Sequence, residues 1–374
     1  MNRIKKHLAK RTFRNQPVTS RSNVIFLSII IVIIAIIGVI VLPDFSPFFS
    51  HPTTAVIRSL RSTISRAKPV SFFKLTPKQN PNTILDQPLA SSGCNAPLTL
   101  KPGQATYMEI DSGKSKRRFI VYLPDHYNNQ TSHPLILAFH GYAADAFAIE
   151  KFAKFDTLAN RDNVIMVYPE GSGSLANLRG WNTGLHPTIH TNDVLFVSNI
   201  LNEVQSNLCV NPQRIYATGF SNGGGFVALL ACQLSNRIAA FAPVSGSYVT
   251  AFKTCSATRP VPIIEFHGNK DTTVPYPGLA AKKELGAFTW VSQWAQRDQC
   301  SKNPTTTNQN NKAIKYEWTN CNDDANVIHY KILGEPHMWP QLLFQATVSH
   351  HMQRFNTAGI IWSFFAQHPL PQNS

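Results

Sequence analysis

A serine flanked by glycines stands at Gly219-Phe220-Ser221-Asn222-Gly223, after the run RIYAT and before FVALLACQL. G-x-S-x-G on a strand-to-helix turn holds its serine in a strained conformation with the hydroxyl presented. The residues two before and two after must then lack side chains so that strand and helix can approach. Glycine-rich turns also serve nucleotide-binding folds, but those carry G-x-G-x-x-G or a P-loop lysine, and this chain has neither. A serine hydroxyl is a weak nucleophile at its own pKa and needs a neighbouring base, itself oriented by a carboxylate. Both residue types follow in order. The run VPIIEFH leads into GNKD, which places Asp271 four residues past His267, and VIHYKIL leads into GEPHMWP, which places His337 four residues past Leu333. Ser221 then reads as nucleophile, Asp271 as orienting acid and His337 as base. The alternative for Asp271 is a simple turn former in NKDTT, and for His337 a surface or capping histidine.

His140-Gly141 closes an earlier strand, where the backbone N–H of Gly141 or Tyr142, with that of Asn222, would receive a developing oxyanion. His140 and His267 read as structural or packing residues. Trp181, Tyr276 and Trp339 are candidates to line a substrate pocket, the last two because they neighbour Asp271 and His337; core or lid packing is the alternative for each.

These residues need a scaffold that delivers loops to one edge. Seven runs read as strands: RRFIVYL (117–123), PLILAFH (134–140), VIMVYP (164–169), RIYATG (214–219), AAFAPVS (239–245), VPIIEFH (261–267) and VIHYKIL (327–333). Several are near-continuously apolar, as in strands covered on both faces. Stretches such as DVLFVSNILNEVQSNL (193–208) place apolar residues at helical intervals, with Asn192 and Asp193 as acceptor and anion at the helix start. The expectation is an α/β fold, a mostly parallel sheet flanked by helices. The strand order stays open.

The formal net charge of +15 invites a nucleic-acid reading, but residues 1–93 hold 13 Lys and Arg against 2 Asp and Glu, leaving 22 against 18 for the remainder. Basicity belongs to the tail, and nothing favours nucleic acid. Val24 to Leu42 is 19 residues without a charge, roughly 28 Å as a helix and near a bilayer's hydrocarbon thickness. Seven cations precede it and Asp44 follows, so the positive-inside rule keeps the N-terminus cytosolic and the remainder outside. We therefore expect a basic tail (1–23), a signal-anchor helix (24–42), a Pro/Ser/Thr-rich stalk (43–92) and a catalytic domain (93–370). This is a single-pass type II arrangement, with a cleaved, secreted form as the rival.

All six cysteines, Cys94, Cys209, Cys232, Cys255, Cys300 and Cys321, lie beyond that span. An even number there suits an oxidising compartment and disulfides, with buried free thiols as the alternative. Proximity suggests Cys232 with Cys255 and Cys300 with Cys321, without choosing among the possible pairings. No C-x-x-C or C-x-x-H spacing occurs, so zinc is not expected. One glycosylation sequon begins at Asn129.

The segments HG at 140–141, VYPEG at 167–171, ATGFSNGG at 217–224, LAC at 230–232, APVSG at 242–246, FHGNKDTTVPY at 266–276, WAQRDQC at 294–300 and PHMWP at 336–340 together resemble the feruloyl esterase and poly(3-hydroxybutyrate) depolymerase-like family of α/β-hydrolases. The resemblance runs from about Gly93 to His368. It implies an α/β-hydrolase fold and a carboxylic-ester hydrolase without metal or organic cofactor, using Ser221, Asp271 and His337. Its substrates would be hydroxycinnamoyl esters of plant cell-wall polysaccharide, polyesters or small acyl esters. Two departures stand out: Glu335-Pro336 replaces the glycines usual before the family's histidine, and Asn192 replaces an aspartate. The proline is expected to reroute the loop, and an anionic Glu335 to favour a protonated His337 and move activity upward in pH. Two other readings remain open: a hydrolase fold kept as a cell-surface binding module, and a peptidase or thioesterase using the same three residues. Acyl group, alcohol and oligomeric state are not legible.

Overall fold

A computed structural model describes residues 82–84, 86, 90–173, 178–186, 189–249, 255, 257–340 and 356–371. The chain divides into units Met1–Lys68 and Pro69–Ser374, and all described residues fall in the second. The basic tail, the apolar span 24–42 and most of the 43–92 segment lie outside the described residues. Among the described residues no helix is long and apolar enough to cross a membrane.

Ten strands form one sheet: β1 (Ala105–Ser112), β2 (Ser115–Tyr122), β3 (His133–Phe139), β4 (Ile165–Pro169), β5 (Val210–Phe220), β6 (Ala240–Val244), β8 (Ile263–Gly268), β11 (Thr305–Gln309), β12 (Ala313–Trp318) and β13 (Val327–Ile332). Their spatial order is β1-β2-β4-β3-β5-β6-β8-β13-β12-β11. The central six, β4 to β13 in that order, run parallel, and antiparallel pairs close each edge. Three short strands, β7 (Tyr248–Val249), β9 (Gly278–Leu279) and β10 (Glu284–Leu285), make a separate small sheet.

Every residue of β3, β4, β6 and β8 is buried, which is why their sequences read as unbroken apolar runs. Alternate side chains serve two cores. Leu135, Leu137 and Phe139 of β3 face one core together with helices α3 (Asp193–Asn207), α4 (Asn222–Gln233) and α5 (Ala287–Arg297). Ile136 and Ala138 face the other, with α1 (Ala146–Ala153), α2 (Phe155–Asp162) and α6 (Thr357–Gln367). The edge strands β1, β11 and β12 escape a sequence reading. β11 is TTTNQ, mostly exposed, and a strand with one wet face and polar residues carries no apolar run.

The disulfides are Cys94–Cys209, Cys232–Cys255 and Cys300–Cys321, so the two pairs suggested by proximity form. The boundary drawn at residue 92 is too late. Asp86 accepts hydrogen bonds from Asn236 N (2.9 Å) and Asn236 Nδ2 (3.1 Å), and Ser91 Oγ donates to Leu208 O (2.7 Å) and accepts from Val210 N (3.0 Å). Polar residues that composition assigns to a stalk thus dock on the domain through individual bonds.

Candidate active site

The chain leaves β3 for β4 on one side and returns as β5 on the other, so a crevice opens at the carboxyl ends of these parallel strands. Ser221 is the first residue past β5. Its backbone lies at φ 58°, ψ −119°, a region that L-residues avoid. A Cβ on Gly219 would sit 2.6 Å from Gly223 O, and one on Gly223 would sit 2.4 Å from both Phe139 O and His140 O. The two glycines are therefore steric requirements of the turn. The strained backbone is held by Ser221 N donating to Val244 O of β6 (3.0 Å) and by Gly225 N donating to Ser221 O (2.9 Å).

Asp271 and His337 follow β8 and β13, neighbours in the sheet. His337 Nδ1 lies 2.7 Å from Asp271 Oδ2 and His337 Nε2 lies 2.9 Å from Ser221 Oγ. The three side chains thus form one hydrogen-bonded line. Asp271 also forms its turn, since Oδ1 accepts from Thr273 N (2.9 Å) and Val274 N (2.8 Å). Burial pushes its carboxyl up, but hydrogen bonds from His267 and His337 outweigh that and hold it well below the usual carboxylate range. An ionised Asp271 places the neutral ring's proton on Nδ1, leaving Nε2 to accept from the serine.

Two loops carry this line, and they are stitched together. Lys270 N donates to Glu335 O (2.9 Å), Asn269 N to Ile332 O (2.9 Å) and Gly334 N to Asn269 Oδ1 (2.7 Å), while Ser245 Oγ at the end of β6 donates to Met338 O (3.2 Å). A Cβ on Gly268 would stand 2.3 Å from Glu335 O. The Glu-Pro pair therefore leaves His337 in reach of Ser221. Glu335, expected as an anion near His337, is 4% exposed, and burial pushes its carboxyl up to about 7, which weakens its negative charge near neutrality.

The Gly141 turn is locked from one side. His140, buried, has Nε2 accepting from Gly171 N (2.9 Å), so Nδ1 carries the proton and donates to Gly141 O (2.7 Å). In a trans peptide the C=O and the following N–H point oppositely, so this bond also fixes the direction of the Tyr142 N–H. A Cβ on Gly141 would lie 3.3 Å from Ser221 Cβ, which puts this turn against the serine. Asn222, next to Ser221, has its amide engaged with Trp181: Oδ1 accepts from Trp181 N (2.7 Å) and Nδ2 donates to Trp181 O (3.2 Å).

Two of the three aromatic pocket candidates belong to the core. Trp181 is fully buried, stacked on Phe226 at 4.9 Å with Nε1 donating to His140 O (2.9 Å). Trp339 is fully buried against Phe152 and Phe155. Neighbouring His337 in sequence did not bring the Trp339 ring to the surface of the crevice. Tyr276 is half-buried, its hydroxyl 2.8 Å from His329 Nε2. A cavity of about 50 Å³ runs along α4 from Gly225 to Gln233, with Thr183, Ser247, Tyr248 and Trp290 also in its lining.

Asn192 caps α3, accepting from Leu195 N (3.0 Å). Asp193 does more than complement the helix start. Buried, it pairs with Arg117 Nη2 (2.9 Å) and accepts from Asn182 N (2.8 Å), which clamps the segment bearing Trp181. The sequence signal for Arg117 was a charge opening a run, RRFIVYL, that is otherwise buried. Asn129 lies at the surface of a turn with Nδ2 donating to Ala96 O.

The architecture, a mostly parallel sheet with a strained serine-bearing strand-to-helix turn after a central strand, fits an α/β-hydrolase fold. It is similar to the solved structure of an acetyl xylan esterase from Aspergillus awamori, with TM-score 0.51 and 14% identity over 70% of this chain and 99% of that one. Residues 118–301 match the family model Esterase PHB depolymerase. Among curated proteins, feruloyl esterase B of Piromyces equi is 30% identical over 231 residues, 59% of this chain and 42% of that protein. Feruloyl esterase D of Neurospora crassa is 32% identical over 193 residues, 48% of this chain and 61% of that protein. A bifunctional acetylxylan esterase/xylanase of Neocallimastix patriciarum is 30% identical over 224 residues, 58% of this chain and 30% of that protein. These matches support a feruloyl esterase and PHB depolymerase-like family for the segment they cover. The chain spans between 30% and 61% of the length of these three relatives.

Proposed function

We propose that the protein is a serine carboxylic-ester hydrolase that works through an acyl-enzyme. The observation that carries this reading is the single line from Asp271 Oδ2 through His337 to Ser221 Oγ, with contacts of 2.7 and 2.9 Å. Ser221 Oγ attacks the ester carbonyl as His337 Nε2 takes the hydroxyl proton. The carbonyl oxygen becomes an oxyanion received by the N–H groups of Asn222 and of Gly141 or Tyr142. Collapse breaks the bond to the alcohol oxygen, which leaves with the proton from His337. Water, giving its proton to the same nitrogen, then attacks the acyl carbon, and Ser221 departs with that proton restored.

The relatives' names favour a feruloyl or acetyl ester of plant cell-wall polysaccharide as substrate. No metal or organic cofactor enters the mechanism. The apolar run Val24–Leu42 and the seven cations before it support a type II anchor with the catalytic domain outside. The test is hydrolysis of methyl ferulate and p-nitrophenyl acetate by the full-length protein and its Ser221→Ala variant. Turnover should fall by roughly 10⁴-fold or more, with the fold intact. A variant working at the parent rate would overturn the assignment. Side-by-side amide and thioester substrates separate an esterase from a peptidase or thioesterase on the same residues.

A further inference from the structure

Behind the acid lies a second buried carboxylate with two imidazoles that the reaction just described does not use. Glu265 and His267 sit two residues apart on β8, and His329 stands opposite Glu265 on β13. All three are essentially without solvent contact. Glu265 Oε1 accepts from Tyr248 OH (2.9 Å) and faces His267 Nδ1 (3.1 Å); its Oε2 faces His329 Nδ1 (2.6 Å). The other nitrogen of His267, Nε2, faces the Val274 carbonyl (2.9 Å) and Asp271 Oδ2 (3.4 Å). That Oδ2 is the same atom that meets His337.

Both ring nitrogens of His267 therefore point at acceptors. A main-chain carbonyl cannot donate, so Nε2 carries a proton. Glu265 would have to be protonated to donate to Nδ1, yet each of its oxygens already receives a donor, from Tyr248 and from His329. With Glu265 ionised, as donors from Tyr248 and His329 favour, the ring is satisfied by carrying two protons. His329 differs, because the Tyr276 hydroxyl 2.8 Å from its Nε2 can donate and leave that ring neutral.

Resting on the serine-esterase reading, we propose that His267 is a positioning residue: an imidazolium buried behind the acid, balanced by Glu265, that keeps the Asp271 carboxylate ionised and aimed at His337. Burial opposes a charged ring, but hydrogen bonds with Asp271 and Glu265 outweigh it and carry His267 up to about 10. Burial likewise opposes a charged Glu265, but hydrogen bonds with His267 and His329 and the charge on His267 hold its carboxyl below the usual carboxylate range. The groups facing His267 are Glu265 on its own strand, Asp271 and Tyr276 on the following loop, and His329 beyond Glu265 on β13; Lys331 lies 5.2 Å over the far ring of Tyr276. The cation behind Oδ2 favours the ionised form of Asp271 over the protonated one, so the pH profile of activity is where its removal reads out.

The test compares full-length parent, His267→Gln, and the double variant Glu265→Gln/His267→Gln, in which no buried carboxylate is left unpaired. In His267→Gln the acidic limb of kcat/KM against pH should move up by about one unit, with KM nearly unchanged, and in the double variant it should move less but in the same direction. Nitrogen NMR of ring-labelled histidine in the parent should show both nitrogens of His267 protonated through neutrality, assigned by the signals that either variant loses. A ring with one bare nitrogen, or an acidic limb that stays in place in both variants, overturns the proposal. Active Ser221→Ala protein would instead remove the serine-esterase reading, leaving the NMR result to decide the charge of His267 by itself.

Discussion

The main-chain N–H of Lys270 donates to the carbonyl of Glu335 across 2.9 Å and so joins the loop that carries Asp271 to the loop that carries His337. The same carbonyl stands 2.3 Å from where a Cβ on Gly268 would be. The acid and the base are thus set relative to one another by backbone contacts, independently of their own side chains.

Gly268→Ala should displace the Glu335 carbonyl and carry His337 with it. An error of about 1 Å in a catalytic group costs on the order of 10²-fold in rate. We expect kcat to fall by about that factor while KM and the far-ultraviolet circular dichroism hold. Steady-state kinetics on methyl ferulate measures it, and an unchanged kcat would show that the two loops adjust separately.

Asp271→Asn tests the orientation of the base. An amide in place of the carboxylate can donate to Nδ1, which turns the tautomer so that Nε2–H meets the serine oxygen. The expected loss is roughly 10⁴-fold in kcat, with slowed labelling of Ser221 by a fluorophosphonate to match. Labelling at the parent rate would mean that the serine is not activated through this line.

Glu335 yields a pH prediction for stability. Its folded carboxyl titrates at about 7, above its ordinary value of 4.5, so between those values the folded state holds more proton than the unfolded one. Stability therefore falls as pH rises across that window, and above it the cost is fully present. Glu335→Gln removes the titration and should gain on the order of 2 kcal/mol over the parent above neutrality, with little difference near pH 4. Urea unfolding at both ends of the window reads this out, and a gain independent of pH would contradict it.

Cys94–Cys209 spans a sequence separation of 115, the longest of the three bridges. Replacing both cysteines with alanine should cost ~2–4 kcal/mol in denaturant unfolding by releasing the unfolded chain. Turnover at low temperature should hold, because the bridge meets β5 at its amino end and Ser221 follows the carboxyl end.

The places of Ser221, Asp271 and His337 at strand ends were legible because each follows a strand with a buried apolar run, and such a run announces itself with a turn at its end. What Glu335 and His267 do was not legible. Glu335 reads as an anion until its burial is known, and the acceptors that surround His267 come from the turn after β8 as well as from its own strand. Trp339 misled for a related reason: nearness along the chain to His337 says nothing of which face a ring turns to. The polar edge strand β11 and the docking of Asp86 and Ser91 rest on individual hydrogen bonds, which leave no periodic mark in a sequence.

One consequence of the Ser91–Cys94 attachment is mechanical. Both residues fasten to the segment where α3 ends and β5 begins, through Ser91 Oγ and the Cys94–Cys209 bridge. The eleven residues of β5, roughly 35 Å of extended chain, separate that point from Ser221. Tension on Ser91 and Cys94 is thus taken up by main-chain atoms and a covalent bond at the amino end of β5, the end opposite to Ser221.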